Sequence, residues 1–411
     1  MPFHHATLDN GLEVIAELDD RAYSVAAGFF VKTGSRDESS DLAGVSHFLE
    51  HMTFKGTSSR DALKVNRDFD KVGAKHNAQT SEEDTLYHAT CLPEYLPRAF
   101  EVLADILRPS LREEDFETEK QVIIEEIRMY LDNPMSVAYE AAKTAHFGAH
   151  PLGNSILGTV ESIQALTAGG MRGYFERRYS PANIVLAFAG AASWEPLLAM
   201  ARQRCGEWQG GPAGRLTTPV QGSRRFQSII RADDHQQTVV GVSDGPPLES
   251  DDRHAAHLLA TILGDHTSSR LYWSLIDPGL ADGAEVSYQD YNQAGAFFTF
   301  LSCEPESTRS NLEIIAQVYR LESGTVTELE LTQAKNKVLA RSVLRGERPM
   351  GRLSSLGFHW MYQRKYISVE AELQAYSHVT LADLERIQAQ WPLWPPTLVS
   401  VGPKTHESPT I

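Results

Sequence analysis

The sequence predicts an α+β protein made of two similar halves, and three observations carry that expectation. Strand-like runs alternate with helical ones through the first 205 residues. A glycine-, proline- and threonine-rich stretch, residues 206–223, interrupts all periodic patterning near the middle of the chain. Beyond it, the second half opens in the same order as the first, which points to a duplicated unit.

The elements follow in order. Asn10-Gly11 between two apolar runs reads as a turn joining two strands. Residues 24–32, 77–79, 85–91 and 184–191 read as further strands, and 43–53, 95–107, 113–131 and 135–147 as helices. Five acidic side chains among residues 113–119 suit a helix N-terminus, where the dipole favours negative charge. In the second half, 237–242 parallels 24–32, and an acidic segment at 248–253 leads into an apolar helix at 254–263. The expected division is a first domain at 1–212, a linker at 213–223 and a second domain at 224–411, with 402–411 as a loose polar tail.

Composition narrows the function classes. The 411 residues carry 54 acidic against 38 basic side chains, a formal charge of −16, which argues against a sequence-independent nucleic-acid binder. Hydrophobic residues at 42% and charged ones at 22% are ordinary globular values. No apolar run approaches the ~18 residues of a membrane span. Cys91, Cys205 and Cys303 lie far apart and form no CxxC pair, so a reducing compartment is the simpler reading. A cytoplasmic protein is expected, or a periplasmic one if a leader was removed. No GxSxG, P-loop or GxGxxG motif stands at a strand–helix junction, so serine-hydrolase, NTPase and dinucleotide chemistry have no support.

One string does carry chemistry: His47-Phe48-Leu49-Glu50-His51. At about 100° per residue, His47 and His51 share one helix face a turn apart, and Glu50 joins it. Two imidazoles so placed can grip one ion, and a neighbouring carboxylate can take a proton from water attacking a carbonyl. A histidine pair on an ordinary amphipathic helix fits the same string. On the 113–131 helix, Ile123, Ile124, Ile127, Tyr130 and Leu131 form an apolar stripe, with Glu119 and Glu126 together at its edge and Glu125 on the solvent side. A carboxylate beside an apolar stripe is expensive unless paired or metal-bound, which makes Glu126 the better third ligand and Glu119 its support. That both simply flank the core with their heads in water is equally open.

Gly34-Ser35-Arg36-Asp37-Glu38 and the run Gly44–Thr57, GVSHFLEHMTFKGT, resemble the M16 (pitrilysin-type, inverzincin) zinc peptidases, whose HxxEH is followed by a distant glutamate. Between His51 and Glu126 74 residues intervene, as in shorter members. The resemblance continues through GAKHNAQT at 73–80, PLGNSILGT at 151–159, YSPAN at 179–183 and SSRLY at 268–272, nearly the whole chain. It implies two tandem α/β-sandwich domains, each a mainly antiparallel sheet packed on helices. It also implies one Zn2+ per chain on His47, His51 and Glu126, with Glu50 as general base and Glu119 as supporting carboxylate. Asn77 and Ala78 fall where the family binds substrate backbone along an edge strand, although an ordinary hairpin strand suits that segment too.

The second half departs from the family's pattern. Complete members carry an arginine and a tyrosine after the SSRL motif that hold substrate and stabilise the oxyanion. Those positions fall here on Ile276 and on Asp282 or Gly283. Tyr288 and Tyr291 are out of register, and Arg270 belongs to the motif itself. By resemblance, this is the M16B-like catalytic subunit of a heterodimer: a zinc endopeptidase half-chamber acting on peptides or small unfolded polypeptides. Its expected partner is a homologous subunit lacking HxxEH but bearing the Arg/Tyr pair. The alternative is a non-catalytic scaffold subunit resembling the respiratory-complex core proteins.

Overall fold

The computed structural model describes residues 1–215, 217–320 and 325–406. The last five positions of the expected tail and Leu216 of the expected linker lie outside the described residues. By its contacts the chain forms two compact units, Met1–Ile127 with Asn154–Leu216 and Val343–Ser368, and Arg128–Gly153 with Thr217–Ser342 and Val369–Ile411.

The first unit is built on strands β1 (Phe3–Thr7), β2 (Glu13–Leu18), β3 (Val25–Val31), β4 (Lys75–Thr80), β5 (Thr85–Cys91) and β6 (Ile184–Gly190). They lie in the order β1-β2-β6-β3-β5-β4, with β2–β6 parallel and the other pairings antiparallel. Every residue of β3 and β6 is buried, so this sheet is covered on both faces. One face meets a large core that includes Phe29, Phe48, Phe100, Phe116, Ile123 and Phe188. The other presents Ile15, Ala26, Phe30, Leu86, Val185, Ala187 and Ala189 to Leu353, Leu356 and Met361 of the Pro349–Gln363 helix. Gly357 allows that approach, because a Cβ there would stand 2.1 Å from the Phe30 ring.

The second unit repeats the plan. Strands β7 (Phe226–Ile230), β8 (Gln237–Asp244), β9 (Gly283–Tyr291), β10 (Ala294–Cys303) and β11 (Thr397–Gly402) lie in the order β7-β11-β8-β10-β9, with β7–β11 parallel. One face packs on a core holding Leu258, Leu259 and Leu263 of the Arg253–Gly264 helix. The other is sealed by Ala138, Ala142 and Phe147 of the Pro134–Phe147 helix. The fold is α+β, two tandem units of mixed, mainly antiparallel sheet packed with helices.

The units differ from the contiguous 1–212 and 224–411 division. Their break at Leu216–Thr217 falls within 213–223, but 128–153 and 343–368 each belong to the unit formed mainly by the other half. The physical reason is coverage: each sheet has two apolar faces, and each second face takes its helix from far along the chain. The apolar stripe of the Glu113–Asp132 helix is also shorter than its periodicity suggests. Ile123, Ile124 and Ile127 are buried, whereas Tyr130 and Leu131 are exposed, because the last turn extends past the core the helix packs on. Cys91, Cys205 and Cys303 are free and buried. Among the described residues, no helix is long and apolar enough to cross a membrane.

Candidate metal centre

The Val45–Thr53 helix begins at Gly44, whose φ of 89° places it in the left-handed region that favours glycine. No side chain of its own caps this end. Instead both oxygens of Glu38 accept backbone N–H bonds at 2.7 Å, one from Gly44 and one from Ser46, which satisfies donors a helix start leaves open. Burial pushes the Glu38 carboxyl up to about 8, against those N–H bonds and with a further push from Asp37. Val45, Phe48, Leu49 and Met52 anchor the inner face in the core. Phe48 stacks on Phe116 with ring centroids 4.6 Å apart, setting the Glu113–Asp132 helix alongside.

On the opposite face His47, His51 and Glu126 converge: one ligand atom from each lies within 4.8 Å of the others. Nε2 of His47 is 3.8 Å from one Glu126 oxygen, and Nε2 of His51 is 3.6 Å from the other. Ligands about 2.0–2.2 Å from a tetrahedral zinc stand roughly 3.4 Å apart, so the donors nearly match that spacing. The stronger sign is His47 itself. It is 9% exposed, its buried Nδ1 has no hydrogen-bond partner, and its Nε2 reaches only the distant Glu126. Burial, with His51 beside it, pushes this imidazole down to about 4, leaving it neutral near pH 7. A buried neutral imidazole aimed at a carboxylate beyond bonding distance suits a cation between them.

His51 is held differently. Its Nδ1 lies 2.8 Å from Glu119, whose second oxygen is 2.6 Å from Lys55 Nζ. Burial works to lower the His51 pKa, but the Glu119 bond and the Glu126 charge outweigh it and raise the group overall. Burial works to raise Glu119, and the bonds from His51 and Lys55 outweigh it, so this carboxyl lies low and stays ionised. Glu119 is 3% exposed, so its head is not in water. The orientation matches the carboxylate–histidine pairs that fix an imidazole's tautomer in metal sites.

Glu50 is half-buried on the same helix, accepting a hydrogen bond from Thr80 Oγ1 at 2.5 Å on Oε2. Burial raises this carboxyl, and the Thr80 bond opposes the rise. Thr80 ends β4, the outermost strand of its sheet, which carries Asn77 and Ala78 and packs against the Val45–Thr53 helix. Asn77 is exposed and Ala78 turns its methyl into the core, so only the backbone of Ala78 is available along that edge.

The structure thus brings together His47, Glu50, His51, Glu119 and Glu126. Sequence reading missed Glu38, Lys55 and Thr80. Lys55, at i+4 from His51, was within reach of the helical-face argument. Thr80 was not, since its bond spans 30 residues. In the second unit, Tyr288 donates to the Pro246 carbonyl, Tyr291 to Gln289, and Arg270 pairs with Glu330, so all three are engaged locally.

Known proteins resemble this chain in sequence and in fold. The family model described as Insulinase (Peptidase family M16) matches residues 13–160, and Peptidase M16 inactive domain matches 165–338. An uncharacterized zinc protease of Mycobacterium leprae is 31% identical over 93% of this chain and 88% of its own length. One of Mycobacterium tuberculosis is 33% identical over 93% and 89%. A protease from Helicobacter pylori superposes with a TM-score of 0.91 at 22% identity, covering 98% of this chain and 99% of its own. An M16 inactive domain from Pseudomonas fluorescens gives 0.90 at 17%, covering both chains fully.

Proposed function

We propose, from the premise that this chain belongs to the M16 peptidase family, that it is the zinc-bearing subunit of an endopeptidase for peptides or small unfolded polypeptides. The observation that carries the reading is the convergence of His47, His51 and Glu126 beside Glu50, with His47 buried and unbonded. Those three side chains would hold one Zn2+. When bound, zinc supplies a Lewis acid that lowers the pKa of water at its open position and polarises a carbonyl.

The chain's own residues do the rest. Glu119 holds Nδ1 of His51, so the Nε2 lone pair faces Glu126. Glu50 accepts the proton of the attacking water and later delivers it to the leaving amine, a task its raised basicity suits. The open edge of β4, through the backbone at Asn77 and Ala78, would pair with an extended substrate by main-chain bonds.

The missing Arg/Tyr pair supports the reading that a partner supplies the remaining contribution: a homologous subunit without HxxEH that carries both residues. A scaffold role has no use for a buried, unbonded His47, and no specific observation favours it. The test is a quenched-peptide assay on the zinc-loaded chain, alone and with such a subunit, each repeated with a chelator. Chelator-sensitive cleavage that needs the partner is expected. Full activity from the chain alone would remove the heterodimer requirement, and chelator-resistant cleavage would remove zinc.

A further inference from the structure

We propose that Thr80 is a positioning residue for Glu50, and that the turn following it is locked by Arg215 and Tyr362, so distant segments aim the reactive carboxylate. This rests on the reading of Glu50 as the proton acceptor.

Glu50 sits on a helix, while the group bonded to its carboxylate sits at the end of the edge strand. A single strong donor decides between carboxylate rotamers only if the donor is itself fixed. Here the fixing is elaborate. The turn closes on itself through Ser81 N–H to the Asp84 carbonyl at 2.8 Å, and Ser81 Oγ accepts N–H bonds from Glu83 and Asp84. The 34–36 segment donates backbone N–H bonds to the turn: Ser35 to Ser81 and Arg36 to Glu82.

Side chains add the rest. Glu82, Glu83 and Asp84, three consecutive acids, are all buried, an expensive choice for a hairpin turn unless each is compensated. Arg36 pairs with Glu83 at 2.7 Å. Arg215, from the stretch between the halves, reaches Asp37 at 2.5 Å and also donates to the Glu83 carbonyl. Tyr362, from the Pro349–Gln363 helix, donates to Asp84 at 2.8 Å. Groups 132 and 278 residues away along the sequence therefore converge on a turn whose first neighbour is Thr80. Because Thr80 ends β4, the same lock sets the edge strand and the carboxylate against each other.

The test uses the zinc-loaded full chain and leucine hydroxamate, a metal-directed probe that also hydrogen-bonds a neighbouring carboxylate, with affinity measured by calorimetry. Thr80→Val is expected to weaken the hydroxamate about tenfold, the cost of one bond to a charged group, with zinc stoichiometry retained. Thr80→Ser should restore it. Tyr362→Phe should weaken it in the same direction and add little to Thr80→Val. In a Glu50→Ala background, Thr80→Val should change nothing. An equal loss in that background, or no loss from Thr80→Val in the native one, overturns the proposal while leaving the zinc reading intact. Failure of the unmodified chain to bind zinc overturns both.

Discussion

One oxygen of Glu119 lies 2.8 Å from Nδ1 of His51, while its other oxygen lies 2.6 Å from Nζ of Lys55. Against burial, the bond to His51 and then that to Lys55 keep the carboxylate ionised, and the carboxylate in turn orients the imidazole and raises its basicity. Glu119→Gln is therefore expected to weaken zinc binding about 10–100-fold, measured by competition with a chromogenic chelator. Lys55→Met should act in the same direction and less strongly, since it alters the charge on Glu119 without removing the bond to His51. Unchanged zinc affinity in Glu119→Gln would exclude this role.

Glu50 and the three proposed ligands should separate cleanly. Glu50→Gln is expected to keep one zinc per chain, by elemental analysis, and to lower peptide cleavage by at least about 10²–10⁴-fold. His47→Ala and Glu126→Ala should instead lose zinc. Zinc loss in Glu50→Gln would contradict the division of roles.

Glu38 gives a pH signature. Its folded carboxyl is raised to about 8 from its ordinary value of 4.5, chiefly by burial, so the folded state keeps a proton that the unfolded chain releases earlier. The stability it contributes is complete below about pH 4.5 and is lost as pH rises through about 8. Glu38→Gln should remove that component. The difference in thermal midpoint between Glu38→Gln and the native chain is expected to shift in the variant's favour from pH 5 to pH 8. A pH-independent difference would show that Glu38 does not titrate this way.

Arg352 and Glu17 form a buried ion pair at 2.5 Å, both under 5% exposed, which fastens the Pro349–Gln363 helix to β2. Arg352→Met leaves a buried carboxylate without its partner and is expected to cost about 3–5 kcal/mol in urea unfolding. Replacing both residues with apolar ones of similar volume should recover most of that loss. Leu353→Ala, under the same sheet face, should cost about 2–5 kcal/mol. Losses below about 1 kcal/mol would mean this helix contributes little to the unit.

Local patterning accounts for what could be read ahead of the structure. The strands at 25–31, 85–91 and 184–190 and the helices at 45–53 and 113–132 follow from periodicity over a few residues, and His47, Glu50 and His51 share a face because a helix turns by about 100° per residue. That Glu119 and Glu126 share a face was legible on the same ground, whereas their meeting with His47 and His51 was not. Tyr130 and Leu131 mark its limit: the pattern shows which face is apolar, but not where the neighbouring core ends.

Short spacings in the sequence are enough for the alternation of strands and helices behind the α+β plan and for the helix face shared by His47, Glu50 and His51, whereas Glu126 stands 74 residues beyond His51 and is named through the family resemblance. Only the tertiary structure decided which helices seal the second face of each sheet, that Lys55 holds Glu119, that Thr80 meets Glu50, and that Arg215 and Tyr362 converge beyond it. The physical reason is that burying a sheet's second face and compensating a buried acid are requirements on neighbours in space. Residues tens to hundreds of positions away can meet them, and no local period records which ones do.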